Sequence, residues 1–168
     1  MLRINSRSPR LFLPVFAGFL LLFTGFFPSL YAAGETSDPV LGEALALARR
    51  VLGDKADNFV FARLTNEKEK DVFEISATGG KIVISGNRGT DLASGLNWYL
   101  KHYCNSQFTI IDEHIDLPGK FPVPTETVRI QTPYRYRYFF NICTFSYTMA
   151  WWNWAEWERQ IDWMAMNG

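Results

Sequence analysis

The side chains that could do chemistry are few and unevenly placed in this chain of 168 residues. Acid/base catalysis needs paired carboxylates, and Glu156, Glu158 and Asp162 sit close together near the end of the sequence. Glu156 lies three residues after Asn153, the spacing at which it can reach back as in a capping box. Metal binding would need clustered ligands. His102 and Cys104 are near neighbours in a helical stretch, and His114 stands apart, so no zinc spacing is present. The turn "GNRGT" (86–90) lies between a strand-like and a helix-like segment, where free amides bind anions. Gly86 and Gly89 match neither the Walker pattern nor the dinucleotide fingerprint, so a tight strand-to-helix connection is the better reading. No cofactor is implied. Asn141 and Cys143 remain, two small polar residues closing the alternating segment "YRYRYFFNIC" (134–143) and sharing one side of it. An amide there can both donate and accept a hydrogen bond; the plainer alternative is local backbone satisfaction by Asn141 and packing by Cys143.

Composition narrows the classes. Seventeen Lys and Arg balance 17 Asp and Glu, but Arg3, Arg7 and Arg10 fall in the first 34 residues, which hold no acid. The remainder is slightly acidic, which argues against a basic groove for nucleic acid. Residues 1–34 have the order of a secretory signal: a basic start, the apolar run "LFLPVFAGFLLLFTGFFPSLY", then Ala32, Ala33 and Gly34. Cleavage near these small residues is expected, leaving no stable membrane partner; an uncleaved anchor is the rival reading, since the apolar run is long. The protein is thus expected to be exported: periplasmic or secreted, or lysosomal in a eukaryote. Its two cysteines, Cys104 and Cys143, are expected to stay unpaired because they belong to segments of different character.

The elements that would position these residues follow from local signals. In "DPVLGEALALARRVLG" (38–53), Asp38 can cap, Pro39 suits the first turn and Gly53 the exit. Leu41, Ala44, Leu45, Ala48, Val51 and Leu52 recur at helical spacing. "NFVFARLT" (58–65), "DVFEISA" (71–77) and "KIVIS" (81–85) read as strands, the last two forming a hairpin across "TGG". The segment 86–104 holds a second helix, with Leu92, Leu96, Tyr99, Leu100 and Tyr103 on one face and Thr90 or Asp91 as its cap. "FTIID" (108–112) is a possible further strand, and "DLPGKFPVPTET" (116–127) has the Pro and Gly pattern of a linker. The fold class is therefore a small α+β domain over 35–128, followed by a second unit over 129–168.

That second unit reads as a strand (134–143), a loop and a helix capped by Asn153, with Trp154, Trp157, Ile161, Met164 and Ala165 as its apolar stripe. Trp163 falls among the polar residues opposite. Five of the six tryptophans lie between positions 151 and 163. A parallel βα unit needs another strand to cover, and none follows, so the chain is expected to be cut short. The alternative is a free-standing exported module whose Trp-rich tail binds glycan or protein.

The segment "PYRYRYFFNICTFSYTMAWWNWAEWERQIDWMAMNG" (133–168) closely resembles the start of the catalytic barrel in the α-N-acetylglucosaminidases of glycoside hydrolase family 89. "RYRY", "N-x-CT-x-SY" and "WW-x-WA-x-WER-x-IDWMA-x-NG" carry the resemblance. Residues 38–128 are similar, less specifically, to the small N-terminal domain of the same family. After the signal segment (1–34), the resemblance implies an N-terminal α/β domain (35–128) and the first strand, loop and helix of a (β/α)₈ barrel (129–168), with Glu156, Glu158 and Asp162 on the outside of the barrel, capping and solvated rather than catalytic. It implies an exo-acting retaining hydrolase releasing terminal α-linked N-acetylglucosamine from glycans, through two glutamates on later barrel strands past Gly168. Without them the 168 residues alone are expected to be inactive. It also implies that Asn141 and Cys143 line the sugar pocket, in keeping with active sites at the C-terminal ends of barrel strands. Trp154 and Trp157 are expected to pack on the barrel, and Trp163 to face the N-terminal domain. Asn153 departs from the Asp frequent in the family, and both residues cap.

Overall fold

The computed structural model describes residues 38–64, 71–111, 113–139 and 142–168. The expected targeting segment, 1–34, and Asn141 both lie outside these residues.

Helix α1 (Pro39–Leu52) starts as its sequence dictates: the Asp38 carboxylate accepts from the Val40 amide at 2.9 Å, and Pro39 occupies the first turn. Its buried face is Ala44, Leu47, Ala48 and Leu52. Leu47 replaces Leu41, Leu45 and Val51 of the expected set, which are only partly covered. A short 3₁₀ turn (Gly53–Asn58) leads into β1 (Phe59–Arg63). Strands β2 (Val72–Thr78) and β3 (Lys81–Gly86) form the expected antiparallel hairpin. Gly79 and Gly80 at φ 59° and 81° supply the left-handed pair that a two-residue hairpin turn requires.

Strand β1 pairs parallel with β3, Phe61 opposite Ile84. The sheet order is β1-β3-β2-β6, with β6 (Val128–Gln131) antiparallel to β2 on the far edge. The sheet thus runs past the expected end of the first unit at residue 128. Helix α2 (Gly89–Tyr103) lies with α1 against one face of the sheet, where Leu92, Leu96, Tyr99 and Leu100 meet Phe59, Ile75, Ile82 and Ile84. Gly95 is needed there: a Cβ would stand 2.7 Å from Ile84 Cγ2, so only glycine lets α2 come this close. The helix begins earlier than expected. Arg88 is the N-cap, and Asp91 sits three residues in, its carboxylate accepting from the Arg88 amide at 2.8 Å.

The stretch expected as a linker is tied down instead. After the two-residue strands β4 (Gln107–Phe108) and β5 (Glu113–His114), Phe121 is buried edge-on to Phe59, and the Tyr99 hydroxyl donates to the Pro122 carbonyl at 2.7 Å.

The second unit departs from expectation at its start. Residues 134–139 form no strand, and Ile142–Tyr147 is a short helix, α3. A strand is held by its neighbours' amides and carbonyls, and nothing among the described residues offers 134–139 a ladder. Helix α4 (Trp154–Met166) carries its caps in its own sequence and forms as expected: Asn153 accepts from the Ala155 and Glu156 amides while Glu156 accepts from the Asn153 amide at 2.7 Å.

Candidate functional site

Of the two sequence-predicted pocket residues, the structure places one. Cys143 lies on α3 as an exposed free thiol, and the aromatic residues around this stretch are open: Tyr138, Tyr147 and Trp151 are all exposed. The described residues do not build a closed pocket here. A sugar site at a strand end needs walls from neighbouring strands.

The carboxylates take other roles. Glu156 is the reciprocal arm of the α4 cap. Asp162, expected to be solvated, is instead 5% exposed and accepts both arms of the Arg50 guanidinium, Nε and Nη2, each at 2.7 Å. That hydrogen-bonded pairing raises the Arg50 pKa further, against the cost of burial. Glu158 stands 3.9 Å from the same guanidinium. Enclosed and held in an ion pair by an arginine fork, Asp162 is placed to orient a partner rather than to exchange protons with a substrate.

The side of α4 that packs is therefore not the expected one. Gln160, Asp162 and Met166 are buried, and Trp163 is partly so, 4.7 Å from the Phe139 ring; Trp154 and Ile161 stay exposed. Trp163 does face the α/β domain, as expected. Along this face Asn97 donates to the Met166 carbonyl at 2.8 Å and Ser94 to the Ala165 carbonyl at 3.3 Å. Arg159 reaches the Ile110 and Thr109 carbonyls at 2.9 and 3.0 Å. The stripe reading failed because periodicity locates the apolar side of a helix but not the neighbour present to cover it.

A cleft of about 270 Å³ opens beside this seat, lined by Asp71, Asp91, Ser94, Tyr134, Arg137 and Gly168 among others. Asp71 accepts from Arg88 at 2.9 Å and from Arg137 at 2.5 Å; Arg137 also donates to the Gly168 carbonyl. Burial, then the nearby Asp71 charge, push the Asp91 carboxyl up to about 6. At the start of α2 the Asp91 carboxylate already accepts from the Arg88 amide, an internally capped helix start in keeping with the tight-turn reading of 86–90. Elsewhere, His102 stacks on Trp98 at 4.2 Å, and burial raises the Cys104 thiol. Among the described residues no three His, Cys, Asp or Glu side chains are grouped to hold a metal.

Sequence reasoning missed Arg50, Asn97, Asp71 and Arg137. Arg50 and Asp162 are 112 positions apart, and no local pattern joins them.

Comparison with known proteins gives this arrangement a context. Residues 42–123 match the N-terminal domain of α-N-acetylglucosaminidase, and residues 137–168 match its TIM-barrel domain. A small mixed α/β domain leading into the start of a catalytic barrel is the architecture of a glycoside hydrolase. The human α-N-acetylglucosaminidase is 37% identical over 128 residues, which cover 73% of this chain and 17% of the human one. A family 89 glycoside hydrolase from Clostridium perfringens, solved with PUGNAc, superposes with a TM-score of 0.74 at 45% identity, covering 77% of this chain and 15% of that one. The same bacterial enzyme with two glutamates changed to glutamine, holding its substrate GlcNAc-α-1,4-galactose, gives 0.73 at 44% identity, with coverage of 76% and 15%. This chain belongs to glycoside hydrolase family 89, the α-N-acetylglucosaminidases. It spans less than a fifth of the length of these relatives.

Proposed function

We propose that this polypeptide supplies the N-terminal domain and the first barrel elements of an exported α-N-acetylglucosaminidase that releases terminal α-linked N-acetylglucosamine from glycans with retention of configuration. The observation that carries the reading is the 45% identity, over three quarters of the chain, to a bacterial family 89 enzyme. In that reading the nucleophile and the acid/base are glutamates on later strands, and the 168 residues alone do not turn over. Asn141 and Cys143 contribute to the sugar pocket once neighbouring strands close around them. Residues 1–34 direct export and are removed.

The test is a chimera in which this chain replaces the corresponding N-terminal segment of the Clostridium perfringens enzyme. Hydrolysis of GlcNAc-α-1,4-galactose by the chimera, with none by the 168-residue chain alone, is the expected result. In the active chimera Asn141→Ala lowers kcat/KM by about 5- to 150-fold, the equivalent of ~1–3 kcal/mol for a sugar hydroxyl left without its partner. A folded but inactive chimera would overturn the proposal. So would turnover by the short chain itself.

A further inference from the structure

The α/β domain holds α4 by its polar side. Asp162 is enclosed and forked by Arg50 from α1. One end of the helix is fixed separately: the last carbonyls of a helix have no intrahelical donors, and Asn97 and Ser94 from α2 supply them at Met166 and Ala165. Met166 joins the hydrophobic core between these anchors. On the other side Trp154 and Ile161 are left in the open, 68% and 45% exposed.

Purely apolar contact would let a helix settle in several rotations and registers, because apolar contact is not directional. A bidentate Arg–Asp pair is directional. Rolling α4 or sliding it by one turn would break the fork and leave a buried carboxylate uncompensated, while the Met166 carbonyl would lose the Asn97 donor. Such a pair specifies an orientation more than it adds stability.

We propose that α1 and α2 form an intramolecular seat that sets the rotation and register of α4, with Arg50 and Asn97 as its positioning residues, so that the Trp154–Ile161 side is turned away from the α/β domain to receive a parallel sheet. The identity of that sheet rests on the glycosidase reading; the seat does not.

Hydrogen exchange on the 168-residue chain tests it, following the α4 amides against those of β3. Asp162→Asn and Arg50→Met are each expected to speed α4 exchange at least about tenfold while β3 stays protected. Arg50→Lys, which keeps the charge and loses the fork, falls between. Exchanging the two residues, Arg50→Asp with Asp162→Arg, restores slow exchange; if that variant does not fold, Asn97→Ala must loosen the last turn of α4 alone. Unchanged α4 exchange overturns the proposal, as does equal loss of protection in α4 and β3. In the chimera, Arg50→Met is expected to lower kcat about tenfold with a smaller change in KM. A wild-type chimera that is inactive while α4 stays protected counts against the glycosidase reading and leaves the seat standing.

Discussion

Helices α2 and α4 have much in common in sequence: each is amphipathic, and each has an acid three residues in that reaches back to its N-cap amide. Their surroundings differ. In α2 the apolar side is fully used, with Leu92, Leu96, Tyr99 and Leu100 sealed against the sheet. In α4 the polar side is used, through Asp162, Gln160 and the C-terminal carbonyls, and much of the apolar side is open. An apolar stripe states a requirement for a cover. Whether the cover is present depends on the rest of the polypeptide.

The comparison can be broken from either helix. Leu96→Ala, at a site with no exposure, is expected to cost about 2–5 kcal/mol and to lower the urea midpoint of the whole domain. Gly95→Ala tests the same contact from the opposite direction: the added methyl meets Ile84 at 2.7 Å, and overpacking should cost roughly 1–3 kcal/mol. Either variant melting like the parent would mean that α2 is not the keystone of this core.

Asp91 separates the helices by pH. Its carboxyl is raised from 3.8 to about 6 in the folded chain, with Asp71, Arg88 and Arg137 as the charged groups around it. A raised carboxylate pKa means that the folded state binds the proton more tightly. The stabilisation from this group is therefore complete below about pH 4 and is lost as pH rises through about 6, by at most ~1.4 kcal/mol per pH unit. Asp91→Asn, whose side-chain carbonyl can still accept from the Arg88 amide, should flatten this part of the urea midpoint against pH curve. A slope unchanged by the substitution would assign it to other groups.

The smallest effect belongs to the open side of α4. Ile161→Gln is expected to change stability by less than about 0.5 kcal/mol in this chain. It should also reduce binding of a hydrophobic dye. A loss of several kcal/mol would show that this side is already in use.

Much of the α/β domain was legible because its signals are local. Asp38 and Pro39 start α1, Gly79 and Gly80 close the hairpin, and the Leu92-Leu96-Leu100 spacing places α2 on the sheet. The parallel β1–β3 pairing and the edge position of β6 carry no such signals, since each joins segments separated in the chain. Of the expected pocket, Cys143 is found on α3 rather than at a strand end. Its segment has the alternation of a strand, but alternation cannot supply the hydrogen-bonding neighbour that a strand needs.

The order of residues by itself determined the caps, turns and helical periods, and through dense motifs in 133–168 the family as well. Those features depend on near neighbours along the chain or on inheritance. Only the tertiary structure decided that Asp162 would be buried under Arg50 and that Asn97 would finish α4. A helix presents every side to its surroundings, and the side that is held is the one whose partners, brought together from distant positions, satisfy both its charge and its free carbonyls.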